Sequence, residues 1–250
     1  MATTVFTGMD VCGALSVGLA RQARLVLADL DGCLISEGHV YEDAQAFAAA
    51  CGEKLWIVSN NSSHSAFSLS AELEALGVSV SAHRILLAGE QTLLHLQNTY
   101  PGIGLALFAS ECLQEQARAI GLRPDSRTPE IAVLCRDPRF SLSDLDRLAA
   151  MVRRGVRLWV SNVDRTHPAV DGRPVPETGA LLAALTAVLG EAVSYQTIGK
   201  PDAHMARLAL QRAGIDPAEA IFVGDNPGTD GGIARNAGIP FVHLVREHAR

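Results

Sequence analysis

The sequence has few of the residues that would build a disulfide framework, a zinc site or a membrane span. Its five cysteines, at positions 12, 33, 51, 112 and 135, are odd in number and none has CxxC spacing, which argues against disulfides and structural zinc. No apolar run reaches the roughly 18 residues that a bilayer span needs. The first twenty residues lack the basic region of a secretory signal. We therefore expect a cytoplasmic protein without a membrane partner.

Charged residues are also sparse, and negative charge is in excess. They make up 19% of the 250 residues, hydrophobic residues make up 48%, and the net charge is −6. This composition predicts a folded chain with a substantial core. The acidity leaves no electrostatic footprint for a nucleic acid polymer or an anionic lipid surface, although a local basic pocket for phosphate stays compatible with it.

Short apolar runs alternate with helical patterns along most of the chain, as in the strands RLVLADL and LWIVSN. This alternation predicts an α/β protein with parallel sheets. It breaks at Pro101 and Gly102 and then begins again, so we expect a doubly wound core that is interrupted by a smaller inserted α/β domain. A helix in the insertion is expected to begin at Ser141 or Ser143. The predicted parts are the core in 1–99 (with 1–22 as an N-terminal extension), the insertion in 100–190, a loop at 165–179 within it, and the rest of the core in 191–250.

Acidic residues follow two of the predicted strands. Asp29 and Asp31 end the first strand, and Asp225 and Asp230 follow the strand AIFVG. The carboxyl ends of parallel strands face the ligand crevice, so these groups can meet in one site. Carboxylates this close repel one another unless a cation such as Mg²⁺ lies between them. Each group alone also fits an ordinary acidic turn.

Polar residues at two other positions suit a phosphate group. Ser59, Asn60 and Asn61 end the strand LWIVSN, where a hydroxyl, amides and free backbone N–H groups can hold phosphate oxygens. A helix N-cap explains these residues equally well. Lys200 lies in TIGKPD, where it can supply a point charge for phosphate or can be a solvated surface lysine.

The four motifs stand in the order strand-DLDG, strand-SNNSS, GKP and strand-GDNPGTD, and this order resembles the haloacid dehalogenase (HAD) superfamily. Within it, the chain resembles the NagD/4-nitrophenylphosphatase-like class IIA over roughly residues 24–245, which implies a HAD-like core and a cap. The resemblance implies that Asp29 is a nucleophile that forms an aspartyl-phosphate. It implies that Asp31 is the general acid and base, and that Lys200 offsets the negative charge.

The other motif residues match phosphate-binding or metal-binding positions of the family. Ser59 matches the phosphate-binding hydroxyl, with Asn60 and Asn61 beside it. Mg²⁺ is the implied cofactor, held by Asp29, by the carbonyl of Asp31, by Asp225, and by Asp230 either directly or through the surrounding ligands.

The stretch SNVDRTHPAVDGRPVPETGALLAAL resembles the signature of the family's cap, which closes over the site and selects the leaving group. It makes four residues candidates for substrate contact: Asn162, Asp164, Arg165 and His167. A solvated loop rich in turn residues is the alternative. A homodimer through the cap is compatible with the resemblance, and the oligomeric state stays open.

We therefore expect a magnesium-dependent phosphatase that hydrolyses a small phosphomonoester such as a nucleotide, a sugar phosphate or phosphoglycolate. Two alternatives use the same fold. One is a non-catalytic protein that binds or senses a phosphorylated metabolite. The other is a phosphotransferase that passes the phosphoryl group to an acceptor other than water.

Overall fold

A computed structural model describes residues 10–36, 38–169, 171 and 173–246. Residues 1–9 of the predicted extension and the last four residues lie outside the described residues. The strands are β1 (Asp10–Cys12), β2 (Leu25–Ala28), β3 (Ile35–Ser36), β4 (His39–Val40), β5 (Leu55–Ser59), β6 (Ile85–Leu87), β7 (Leu105–Phe108), β8 (Ile131–Leu134), β9 (Arg157–Val160), β10 (Thr166–Pro168), β11 (Pro174–Pro176), β12 (Ala220–Gly224) and β13 (Phe241–Leu244). The α-helices are α1 (Val17–Arg21), α2 (Glu42–Cys51), α3 (Ala66–Ala75), α4 (Ala88–Thr99), α5 (Glu111–Ala119), α6 (Leu142–Arg153), α7 (Thr178–Leu189), α8 (His204–Ala213) and α9 (Asp230–Ala237).

Six strands form one parallel sheet in the order β1-β13-β12-β2-β5-β6. From β2 the chain moves outward through β5 to β6, and it later returns to the other side of β2 through β12 and β13. The order therefore reverses between β2 and β12, and the carboxyl ends of these two strands border the crevice where open α/β sheets bind ligands. The predicted α/β fold with a parallel core sheet is confirmed.

Helices cover both faces of this sheet because its strands are apolar on both sides. In β2, Val26 and Ala28 pack into the cluster that holds α2 and α3, whereas Leu25 and Leu27 pack into the cluster that holds α8 and α9. Successive side chains of a strand point to opposite faces, so a continuous apolar run such as LVLA fills two layers at once. Because β2 is buried on both faces, polar residues begin only where the strand ends, at the edge of the sheet.

A second, three-stranded parallel sheet, in the order β7-β8-β9, lies within the predicted insertion. Gln196 forms an isolated parallel β-bridge with Trp159 of β9. The chain therefore leaves this sheet some residues after position 190. The boundaries at 99 and 190 stay a prediction. We call residues 105–196 the cap region.

The predicted loop at 165–179 contains a short antiparallel hairpin, so the prediction of a loop there is wrong. Strands β10 and β11 pair His167 with Val175, and Ala169 N–H donates to the Arg173 carbonyl at 2.8 Å. Residues 170 and 172 lie outside the described residues. Prolines occur in both strands, which a two-stranded ribbon tolerates because each strand has a neighbour on one side alone.

The N-terminal extension adds to the main sheet. Strand β1 pairs with β13 as an edge strand, and Leu15 N–H donates to Asp43 Oδ2 at 2.7 Å. Strand β1 therefore extends the main sheet beyond β13. Among the described helices, none combines the length and the apolar character that crossing a membrane requires.

Ser141, not Ser143, caps α6. Its hydroxyl accepts a hydrogen bond from Asp144 N–H, and the Asp144 carboxylate accepts one from Ser141 N–H in return. We expect Ser141→Ala to lower the free energy of unfolding by about 1 kcal/mol, because this reciprocal cap is lost. Ser143→Ala is the matched control and should leave stability unchanged within about 0.5 kcal/mol. Urea denaturation of both variants measures the difference, and equal effects would contradict the assignment of the cap.

Candidate active site

The two acidic motifs meet at the carboxyl ends of β2 and β12. These strands are parallel neighbours that pair Ala28 with Val223, and Asp29 N–H donates to the Val223 carbonyl at 2.9 Å. Asp29 directly follows β2, and Asp225 directly follows β12. The pairing register therefore places Asp29 level with Gly224, one residue before Asp225, so the two carboxylates lie at the same edge of the sheet.

Asp29, Asp225 and Asp230 form one cluster of carboxylates. One oxygen of each lies within 4.8 Å of the others, and no other trio of metal-ligand side chains among the described residues comes so close together. Lys200 Nζ lies between two of them, at 2.5 Å from Asp29 Oδ1 and 2.7 Å from Asp230 Oδ1. The structure thus unites four residues that are separated by up to about 200 positions in the sequence.

Two glycines make room for this cluster. A Cβ at Gly32 would collide with the Asp225 carboxylate, and the φ of Gly32 is +81°, which side chains disfavour. A Cβ at Gly224 would collide with the Asp230 carboxylate. The glycines of DLDG and VGD are therefore required by the close approach of the acidic side chains.

Negative charge exceeds positive charge in this cluster, because three carboxylates face one ammonium. Burial and the nearby Asp29 carboxylate raise the pKa of both Asp225 and Asp230 above the usual range. Burial alone would lower the pKa of Lys200, but Asp230 and Asp29 hold it above its usual range. Surplus carboxylate oxygens in one buried place are a donor set that suits a hard divalent cation. Asp29 and Asp225 have the freer oxygens, since Asp230 accepts from both Lys200 Nζ and Asn226 N–H.

Asp31 lies apart from the carboxylate trio, and its side chain lines the same cavity. Burial and the Asp29 carboxylate raise the pKa of Asp31 to about 6, while His167 acts in the opposite direction. A carboxyl group with this pKa exchanges its proton near neutral pH, which is the requirement for a general acid and base. The predicted metal contact through its carbonyl stays a prediction.

Ser59 and Asn61 stand at the carboxyl end of β5, next to β2 in the sheet. Ser59 is buried, and its Oγ accepts from Asn61 N–H at 3.1 Å. The Asn61 side chain closes the following turn, with Oδ1 accepting from the N–H groups of Ser63 and His64. Both residues line the cavity beside Asp29.

Asn60 lines the cavity beside Ser59, but its side-chain amide is bound within the protein, and its assignment to substrate binding stays a prediction. Its Nδ2 donates to Asp164 Oδ2 at 2.9 Å and to the Lys200 carbonyl at 3.1 Å, and its Oδ1 accepts from Lys200 N–H at 2.7 Å. Both amide hydrogens are used, and none is left for a phosphate oxygen. Asn60 instead holds the backbone of Lys200 and touches the cap region.

A cavity of about 480 Å³ opens above these residues, between the main sheet and the cap region. Of the four predicted cap contacts, Asp164 and His167 line it. Asn162 does not, because it is 1% exposed and its Nδ2 donates to the Asn60 carbonyl at 2.8 Å. Arg165 is exposed to solvent and lies outside the lining. The prediction is therefore corrected for these two residues.

Sequence reasoning missed several residues of the cavity wall. Arg136 lies two residues past the end of the strand β8, so a search for polar residues just after strand ends could have found it. Glu177 closes the hairpin and is bound to both Arg136 and His167. His64 also lines the cavity and lies three residues past Asn61 in the same loop, so the loop that follows β5 could have pointed to it.

Comparison with known proteins places this geometry in a family. Residues 23–238 match the haloacid dehalogenase-like hydrolase family. A dihydroxyacetone phosphatase of Corynebacterium glutamicum is 30% identical over 88% of this chain and 80% of its own length. The structure of a 4-nitrophenylphosphatase from Thermotoga maritima superimposes with a TM-score of 0.82 at 25% identity, covering 92% of this chain and 88% of that one. A glycerol phosphate phosphatase of Mycobacterium tuberculosis, solved in complex with magnesium, gives 0.80 at 27% identity, covering 90% and 68%.

The chain belongs to the haloacid dehalogenase-like hydrolases. The predicted enzyme class, a phosphoric monoester hydrolase of this family, is confirmed by these relatives. The roles of the individual residues stay predictions, and the structure shows where each residue lies.

Gly32→Ala tests the close packing of the DLDG loop. Gly102 has a similar φ of +78° but open space around it, so Gly102→Ala isolates the backbone cost, which is roughly 1–2 kcal/mol. We expect Gly32→Ala to cost about 1–3 kcal/mol more, because the added methyl group displaces Asp225. Thermal unfolding of both variants gives the comparison. Equal losses of stability would contradict the packing described.

Proposed function

We propose that this protein is a magnesium-dependent phosphatase that hydrolyses a small phosphomonoester through an aspartyl-phosphate on Asp29. The observation that supports it is the juxtaposition of Asp29, Lys200 and Ser59 at one end of a cavity, with the carboxyl group of Asp31 on the same wall. This arrangement supports the proposal, because it brings together candidates for a nucleophile, a counter-charge, a hydrogen-bond donor to phosphate and a proton carrier.

The first step uses Asp29 and Asp31. Asp29 attacks phosphorus, the bond between phosphorus and the ester oxygen breaks, and the proton of Asp31 goes to the leaving oxygen. In the second step Asp31 takes a proton from water, whose oxygen attacks phosphorus and releases inorganic phosphate. The Asp29 carboxylate and the protonated Asp31 are then restored.

The neighbouring residues hold the reacting groups in place. The Ser59 hydroxyl and the Lys200 ammonium face the position of the transferred phosphoryl oxygens, where their charge and hydrogen atoms count most. The Asn60 side chain holds Lys200 in place by accepting a hydrogen bond from the backbone N–H of Lys200. Asp29 and Asp225 would hold Mg²⁺, with Asp230 in support, and the ion would neutralise negative charge on the phosphoryl group.

Asp29→Asn tests the nucleophile. We expect phosphate release from an ester panel to fall by roughly 10³-fold or more, because the amide oxygen cannot form the covalent intermediate. The variant should unfold at an equal or higher temperature in EDTA, since one buried negative charge is removed from a repelling cluster. Malachite green detection of phosphate and thermal unfolding provide the two measurements.

Asp125→Asn is the matched control, because Asp125 is an exposed aspartate of the cap region that pairs with Arg118. Its activity should match that of the wild type. Near wild-type turnover by Asp29→Asn would rule out the covalent mechanism. A wild-type protein that releases no phosphate from any ester, yet is stabilised by one, would support the binding-protein alternative.

Magnesium should stabilise the folded protein independently of turnover. At 100 times its dissociation constant a bound ion contributes about 2.7 kcal/mol, which corresponds to roughly 5–10 °C in melting temperature for a chain of this size. Asp225→Asn should remove most of this shift, because Asp225 has a half-buried carboxylate that borders the cavity. Differential scanning calorimetry in EDTA and in MgCl₂ measures it.

Potassium chloride at the same ionic strength is the control for screening of surface charge. An equal shift with potassium, or an undiminished magnesium shift in Asp225→Asn, would contradict the metal site. Asp125→Asn again serves as the matched variant and should keep the full shift.

A further inference from the structure

The part of the cavity wall that comes from the cap region is organised around Glu177. We call Arg136, Asp164, Thr166, His167, Val175 and Glu177 the cap wall. Because the cluster around Asp29 occupies the other end of the cavity, the cap wall faces the alcohol portion of a bound phosphate ester.

One oxygen of Glu177 binds both cations of the cap wall. Glu177 Oε1 accepts from His167 Nδ1 at 2.7 Å and lies 3.2 Å from Arg136 Nε. The side chain of Glu177 is 14% exposed, that of His167 26% and that of Arg136 27%. The hydrogen bond with Glu177 raises the pKa of His167, which favours its charged form. The two cations are therefore turned toward a carboxylate of the protein itself.

Every Lys, Arg and His side chain among the described residues of the cavity lining has a carboxylate within 4 Å. His64 Nε2 lies 3.7 Å from Glu72 Oε1, and Lys200 is bound to the acidic cluster. Asp164 adds a further acidic side chain to the cap wall. A carboxylate or second phosphate on the leaving group would meet paired cations and nearby negative charges, and such an arrangement costs several kcal/mol when like charges approach.

The lining also offers few stacking surfaces. No Phe, Tyr or Trp occurs among the described residues that line the cavity, and the planar rings and guanidinium groups there belong to His64, Arg136 and His167. Nucleobases and similar rings are held in protein sites by stacking on aromatic side chains or guanidinium planes, and Glu177 holds Arg136 and His167 in ion pairs. Hydroxyl and amide groups are present instead, from Asn61, Ser63 and Thr166, and these suit hydrogen bonds to an aliphatic alcohol.

We propose that Glu177 makes this cavity selective for esters whose leaving group is an uncharged, hydroxylated aliphatic alcohol, by holding Arg136 and His167 in ion pairs. The inference rests on the proposed phosphatase function and adds a substrate class and a specificity-determining residue to it. Removing the Glu177 charge frees the Arg136 guanidinium to face the leaving group, so anionic leaving groups become acceptable, whereas His167 loses the carboxylate that favours its charged form.

Glycerol 3-phosphate and 3-phosphoglycerate test this directly, because they share a three-carbon skeleton and differ in a hydroxymethyl or carboxylate group. The wild type should have kcat/KM for glycerol 3-phosphate at least about 10-fold above that for 3-phosphoglycerate. Glu177→Gln should lower the KM for 3-phosphoglycerate by about 10-fold relative to the KM for glycerol 3-phosphate. A change in the pKa of Asp31, which Glu177 and His167 both influence, would alter kcat for both esters and leave this comparison unaffected. The Glu177 side chain makes no capping bond to α7, so the helix does not depend on the carboxylate.

Two further variants separate the charge effect from a general disturbance. Glu219→Gln makes the same change in an ion-paired glutamate on the surface, 2.8 Å from Arg24, and should keep the wild-type ratio. Glu177→Gln/Arg136→Gln should lose the gain for 3-phosphoglycerate, since the freed guanidinium is gone. Thermal unfolding of each variant shows that it is folded.

The outcomes distinguish the two proposals. A wild type that hydrolyses glycerol 3-phosphate but keeps its ratio in Glu177→Gln would overturn the role of Glu177. A wild type that prefers 3-phosphoglycerate, adenosine monophosphate or pyridoxal phosphate would overturn the substrate class and leave the phosphatase function intact. Release of phosphate from no ester would overturn the phosphatase function and this inference with it.

Discussion

The burial of three carboxylates against a single ammonium constrains the rest of this structure. Charges taken out of water cost several kcal/mol each unless partners replace the lost hydration. Lys200 supplies two of the required contacts, at Asp29 and Asp230. The parallel register of β2 and β12 and the absence of a Cβ at Gly32 keep the carboxylates together in spite of their repulsion. A sheet with apolar packing on both faces is the kind of support that can sustain such a cluster.

Asn60 links the acidic cluster of the core to the cap region. Its side chain binds Lys200 on one side and Asp164 on the other, and its carbonyl binds Asn162. The position of the ammonium and the position of the cap hairpin therefore depend on the same buried amide. Because a buried polar group left without a partner costs about 1–3 kcal/mol, the two parts are held in one arrangement.

The core was predictable from the sequence because its chemistry sits at strand ends. The apolar part of a run such as LVLADLDG predicts a buried strand, and the acidic residues that follow this part are then expected at the crevice. The same reasoning from strand ends predicted the positions of Ser59 and Asp225. The turn at TIGKPD predicted that of Lys200. This reasoning did not predict the hydrogen bonds of Asn60 and Asn162, because these bonds join distant chain segments. It missed Glu177 because its ion pairs with Arg136 and His167 join residues 41 and 10 positions apart, respectively.

Reaction and selection therefore depend on different kinds of structure. Asp29 and Lys200 are fixed by strand register and by buried backbone contacts, so almost any change there alters the charge balance of the core. Glu177 directly follows the hairpin strand β11, and His167 lies on its partner strand β10. Their ion pair therefore belongs to the cap region, whereas the strands β2 and β12 carry the acidic cluster. In the proposed function, the residues that would bind the phosphoryl group and those that would face the alcohol thus come from different parts of the fold.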